Sequence, residues 1–275
     1  AGGGPTTNGS PELKPQLERS PAKPPRPSRD AYRDVLPVWA SVAQAVLCFF
    51  LVAWTVGYPG SMLVGRVPGQ QQRIDWFLNA TRSQWRPQVM KYHGHPMVQA
   101  THQLPGAIWA ALAPFQLSSS ARRRFPAAHR WCGRLFLLAA ATLLAGLVVI
   151  YHRKLSHHHD YPGHVIPDAF TGADTAVLSA WFAGTAAYAL ACIARGNVAA
   201  HQTWMARHVA SGVWVSFQRL MTLALPALDL DLGLVDFSLP VNRFRGLQWG
   251  AYFSVAVYTT VMELAMRQQR SNRAH

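Results

Sequence analysis

Residues 131–151 read WCGRLFLLAAATLLAGLVVIY, from Trp131 to Tyr151, and Arg134 is the one charge in the stretch. A helix rises about 1.5 Å per residue, so roughly 20 apolar residues cross the ~30 Å hydrocarbon core of a bilayer. Five further runs of similar length accompany this one: Leu36–Tyr58, Met97–Leu117, Ala169–Ile193, Thr203–Leu225 and Leu247–Met266. A surface helix of a soluble domain keeps a polar face for water, and these runs have little of one. The sequence therefore predicts an all-α fold, a polytopic membrane bundle of six transmembrane helices. Residues 1–34 form a Pro/basic-rich tail, residues 35–268 the six-helix domain, and residues 269–275 a basic C-terminal tail.

Composition agrees with this solvent. Charged residues make up 14% of the 275-residue chain, yet the formal net charge is +14. In a soluble protein that balance suggests nucleic acid. Here the charges sit at the ends of apolar runs, so they argue for orientation and against a nucleic-acid partner. Basic residues gather on one side: the N-terminal tail, Arg122, Arg123, Arg124, Arg130 and Arg134, then Arg195 and Arg207, then Arg267, Arg270 and Arg273. The opposite loops hold Asp75, Asp160, Asp168, Asp229, Asp231 and Asp236. The positive-inside rule places the basic side, with both termini, in the cytosol, matrix or stroma. Six spans require the same of the termini. A basic tail that does not begin with Met fits an imported organellar protein, such as one of the mitochondrial inner membrane. A bacterial-type plasma membrane obeys the same charge rule.

The tail, with Pro21-Ala22-Lys23-Pro24-Pro25-Arg26-Pro27 at its centre, is too polar to order itself. Its expected use is to hold other subunits of a membrane complex. Between the first two runs, Ile74, Phe77, Leu78, Thr81 and Trp85 share a helical face suited to the membrane interface, and Asn79-Ala80-Thr81 is a glycosylation sequon. Tyr58, Trp131, Tyr151, Trp204 and Trp249 mark the interfaces. Gly172, Ala176, Ala180 and Gly184 recur every four residues and predict close packing against a neighbouring helix. Cys48, Cys132 and Cys192 have neither metal spacing nor a disulfide pattern and read as small packing residues.

Ionisable groups are costly in a bilayer and mark candidate sites. They are His102, His129, His201 and His208, with Arg134, Asp174, Arg207, Arg219 and Glu263 as buried polar residues. His201 and His208 are seven residues apart, nearly two helical turns, and point the same way. Neutral imidazoles on facing helices can hold a haem iron axially, so His129 with His201 or His208 is a candidate pair, as is His102 with His152 on the opposite side. Arg134, Arg207 or Arg219 can neutralise propionates. The alternative is that these histidines are hydrogen-bonded or snorkelling interface residues. Asp174 is a candidate ion-pair partner for Arg219, and Glu263 for a basic neighbour. The tract from His152 to His159, with Asp160 and His164, binds metal too unspecifically to predict a metal site. Phosphate-binding, zinc-protease and nucleophile-elbow signatures are missing, which argues against a catalytic role.

Three segments carry a family likeness. They are His102-Gln103-Leu104-Pro105-Gly106-Ala107-Ile108-Trp109 running to Ala113-Pro114-Phe115-Gln116; Arg122-Arg123-Arg124-Phe125-Pro126-Ala127-Ala128-His129-Arg130-Trp131 with Gly133-Arg134; and Arg195-Gly196-Asn197-Val198-Ala199-Ala200-His201-Gln202-Thr203-Trp204-Met205-Ala206-Arg207. In these the chain resembles the domain-of-unknown-function 2306 family of multipass membrane proteins. The resemblance implies a helical membrane fold and marks His102, His129, His201, Trp204 and Arg207; it implies no activity. The histidines are also loosely similar in arrangement to ascorbate-linked dihaem b-type cytochromes. Two functions are thus expected: a non-catalytic integral subunit of a larger membrane complex, with bound lipids, or a b-type haem electron-transfer protein.

Overall fold

The computed structural model describes residues 1–4, 34–57, 72, 75, 76, 79, 91–155, 168–227 and 240–274, with their side chains except at 168–171, 221–249 and 273–274. Among the described residues the chain is all-helical. Helix α1 is Val38–Gly57. Helix α2 begins at Pro96–Val98, passes through a π-turn at Gln99–Gln103 and continues as Leu104–Leu117. A short α3, Ser119–Arg124, leads into α4, Pro126–His152. Then come α5, Asp168–Ala194, α6, Val198–Ala227, and α7, Pro240–Ala274. Every helix except α3 coincides with one of the apolar runs. Three are long and apolar enough to cross a membrane by length and composition: α1, α4, and α5 from Gly172 to Ala194.

Local chemistry sets the boundaries. Pro96, Pro126 and Pro240 open their helices, where a fixed φ is an advantage and the missing N–H costs nothing. The Ser118 hydroxyl caps α3 by accepting from the Ala121 N–H at 3.2 Å, and Asp34 Oδ1 accepts from the Ser119 N–H at 3.0 Å, tying the segment before α1 to the α2–α3 corner. α5 ends at Gly196, whose φ of +74° lets the Gly196 and Asn197 N–H groups turn back to the Ile193 and Cys192 carbonyls. Asn197 then caps α6 through the Ala200 N–H at 3.0 Å. The result is a tight antiparallel α5–α6 hairpin on the basic side.

α6 is the hub. It packs on α5, α7, α1 and α2 and buries Met205, Ala206, Val209, Ala210 and Val213. α4 meets α2 at the π-turn. Pro105 has no N–H to return to the Thr101 carbonyl four residues back, which is the local cause of the widened turn. The freed carbonyl faces Gly146: a Cβ there would lie 2.6 Å from Thr101 O and 2.8 Å from His102 Cβ. On α6, a Cβ at Gly212 would meet the Trp109 ring at 2.6 Å.

The close approaches thus fall at Gly146 and Gly212, and of the α5 stripe expected to supply them only Gly172 is half-buried, beside the Tyr151 ring, while the other three residues face outward. Ala176, Ala180 and Gly184 are exposed, and nothing lies within 4 Å of a Cβ built on Gly184. The core-facing side of α5 is instead carried by Phe182, Thr185, Ala189 and Cys192, a register that small-residue spacing alone does not fix. All three cysteines are free. The central part of the N-terminal tail, most of the proposed interface helix, and the tract 156–167 lie outside the described residues; Asn79 of the sequon is described as helical and exposed.

Candidate functional site

His208 is fully buried near the middle of α6. Three rings enclose it: Trp109 from α2, Phe136 from α4 and Phe182 from α5, with centroids 5.8, 5.5 and 4.4 Å from the imidazole. The indole N–H of Trp109, which can only donate, reaches His208 Nε2 at 3.2 Å. That makes Nε2 the acceptor and places the proton on Nδ1, which donates to the Phe182 carbonyl at 3.1 Å, with Thr185 Oγ1 at 3.3 Å. Both nitrogens are therefore engaged. Ligating iron through Nε2 would break the Trp109 bond and open the cage.

A second cluster gathers at the basic end. His201 is fixed by its Nδ1 on the Ala189 carbonyl of α5 at 2.8 Å. His129, in the first turn of α4, lies in the electrostatic reach of both His201 and Arg122. Its carbonyl accepts from the buried Gln116 amide at 3.3 Å, and its Nδ1 is buried with no partner. Arg122 turns back under α2: Nη1 donates to the Leu117 and Gln116 carbonyls at 3.0 and 3.4 Å. The remaining edge of its guanidinium, Nε and Nη2, is buried without a partner. Burial pushes the Arg122 pKa down, and the Asp34 carboxylate opposes that shift.

The other candidates divide between the two ends. His102, in the π-turn, packs on α4 with Nδ1 3.4 Å from the Leu143 carbonyl, and Arg219 lies in its field. His152, the sequence-derived counterpart of His102, stands exposed beside Tyr151. Asp174 accepts from the Tyr252 hydroxyl of α7 in place of the expected Arg219 partner. Glu263 has the basic neighbour expected of it: Arg207 forms a two-pronged pair, Nε to Oε1 at 2.5 Å and Nη2 to Oε2 at 3.0 Å, while its guanidinium stacks 4.6 Å over Trp204. Arg134 is not buried; it is exposed and stacks 4.5 Å over the Trp131 ring, because its position on α4 faces away from the bundle.

Two features escape the sequence. Arg122 reads as one member of a solvated arginine run, yet it turns inward while Arg123 and Arg124 stay exposed. Gln44, a lone amide within the first apolar run, has both side-chain polar atoms buried and unpartnered, and the Tyr258 hydroxyl of α7 is likewise buried without a partner. The lone Gln44 was the available signal; the inward turn of Arg122 had none. No family model, curated protein or solved structure matches the chain.

Proposed function

We propose that the chain is a six-span integral membrane subunit of a larger membrane complex, with a packing and tethering role and both termini on the basic side. The observation that carries this reading is the outward face of α5. Gly and Ala at four-residue spacing allow backbones to approach closely in a bilayer, where packing rather than water exclusion drives association. In α5 most of that stripe is turned away from its own bundle, as Ala176, Ala180 and Gly184 are exposed, which suits a helix of another subunit. The polar residues support it further, because they join helices to one another: His208 joins α6 to α2 and α5, Arg207–Glu263 joins α6 to α7, and Asp174–Tyr252 joins α5 to α7. Trp131 and Tyr151, both exposed, stand 20 residues apart on α4, about 30 Å of helix, the thickness of a hydrocarbon core. The Pro/basic tail is the second tether, and the membrane is an organellar inner membrane or a bacterial-type plasma membrane. We propose membership of the domain-of-unknown-function 2306 family on the sequence motifs around His102, His129 and His201 alone.

The test is the double substitution Ala176→Leu and Ala180→Leu, followed by native electrophoresis of mild-detergent extracts. Two leucines on an outward face leave the bundle intact, so the chain keeps its thermal midpoint. The expected result is loss of the high-mass assembly. A wild-type chain that runs as a monodisperse monomer from its native membrane defeats the proposal.

A second reading, a b-type haem protein, is favoured by His201. The Ala189 carbonyl fixes its Nδ1, which orients the ring and leaves the Nε2 lone pair for a ligand, as in metal-binding histidines. His129 is the counterpart, and Arg122 is the cation whose charge acts on both rings. A haem held there would supply electron transfer. This reading predicts a b-type band in a reduced-minus-oxidised spectrum of the natively purified protein, abolished by His201→Ala. A flat wild-type spectrum removes it.

A further inference from the structure

Arg122 is anchored by one nitrogen and leaves the opposite edge of its guanidinium unused. Nη1 closes the C-terminal carbonyls of α2, at Leu117 and Gln116. Nε and Nη2, the two donors that point in parallel along the side of the group, are buried and have no partner, and the same is true of His129 Nδ1. A buried charged donor left unmade is among the most expensive features a fold can carry. The Asp34 carboxylate favours the guanidinium charge, with its Oδ1 accepting from the Ser119 N–H, but no acceptor reaches Nε or Nη2. The chemistry of the unmet edge is specific, because parallel guanidinium N–H groups match two oxygens of one oxyanion. The position is specific too. Arg122 lies at the α2–α3 corner on the basic side, beside exposed Arg123 and Arg124 and the interfacial Trp131, where the headgroup layer meets the bundle if the six-span reading holds.

We infer that the Nε–Nη2 edge of Arg122, with His129 beside it, binds a phosphate-type oxyanion, the headgroup phosphate of an acidic phospholipid being its source. The inference rests on the membrane placement of the bundle. Exposed Arg123 and Arg124 hold the lipid's net negative charge, and Arg122 makes the two-pronged bond that selects the phosphate.

The experiment is native mass spectrometry of the full chain purified in mild detergent, after exchange into mixed micelles containing phosphatidylglycerol or phosphatidylcholine, with inorganic phosphate in a separate arm. Alkaline extraction of the source membranes checks placement independently, since a chain released by that treatment fails the membrane reading and not the site. Wild type is expected to retain one phosphatidylglycerol through gas-phase activation that strips phosphatidylcholine. Arg122→Lys keeps the charge and a donor for the α2 carbonyls but lacks the parallel edge, and at least a tenfold loss of retention is expected. His129→Gln, which leaves Arg122 in place, is expected to weaken retention less. Retention of phosphate alone, displacing lipid and lost in Arg122→Lys, upholds the oxyanion site and assigns it to free phosphate. Equal retention by wild type, Arg122→Lys and His129→Gln overturns the proposal.

Discussion

Trp109→Ala is expected to be the most damaging single substitution in the described bundle. Trp109 is 1% exposed, stacks on Phe136 at 5.3 Å, lies 5.6 Å from Phe182, and donates to His208. Truncation opens a large cavity and strands Nε2 of a buried imidazole. Trp→Ala in soluble cores costs about 3–5 kcal/mol. In a bilayer part of that cost vanishes, since the unfolded reference also sits in apolar surroundings, but lost dispersion contacts and the stranded acceptor remain. A loss of about 3 kcal/mol is expected in reversible unfolding from bicelles. Trp109→Phe helps to separate the two causes, because it removes the N–H while keeping a six-membered ring in the cage and losing only three ring atoms; a smaller loss, about 1–2 kcal/mol, is expected for it. Equal losses in the two variants would show that the hydrogen bond, and not the packing, dominates. A stable Trp109→Ala protein would mean that the cage is not the centre of the fold.

Gly146→Ala follows, and here the sign is informative. Replacing glycine by alanine within a helix normally stabilises by up to about 1 kcal/mol. At Gly146 the new methyl would lie 2.6 Å from the Thr101 carbonyl oxygen and 2.7 Å from its carbon. Those are backbone atoms of the π-turn and cannot rotate away, so α2 and α4 must separate. Overpacking of this kind costs about 1–3 kcal/mol. Gly184→Ala is the matched control: its methyl meets nothing within 4 Å, and a neutral or stabilising effect is expected in the dissociated chain. Thermal unfolding of both variants in one detergent gives the comparison. A Gly146→Ala protein as stable as Gly184→Ala would show that the α2–α4 approach relaxes freely.

The six apolar runs locate helices because hydropathy and length are local properties, and the helices found at α1, α2, α4, α5, α6 and α7 follow them. Helix ends were equally local: Pro126 and the Gly196–Asn197 pair mark theirs by backbone chemistry. Orientation around each helix axis was not. The α5 stripe looked like an internal contact and, beyond Gly172, faces outward; Arg134 looked buried and stacks on Trp131 at the surface. A near-uniformly apolar helix gives no polar face from which to read its rotation, so its neighbours set it.

The candidate site divides along the same line. Sequence alone determined which residues are anomalous in a bilayer, because the cost of a charge there depends only on its type and depth. It thus named His102, His129, His201, His208, Arg207 and Glu263, and it anticipated a basic partner for Glu263. Which of those anomalies are resolved within the fold was decided by tertiary structure. His208 is satisfied because Trp109 and Phe182 arrive from positions 99 and 26 residues away. Arg122, one of three like neighbours in sequence, keeps two buried donors open because α2 ends directly above it. Hydrogen-bond satisfaction depends on atoms brought together across the bundle, and local sequence does not encode that.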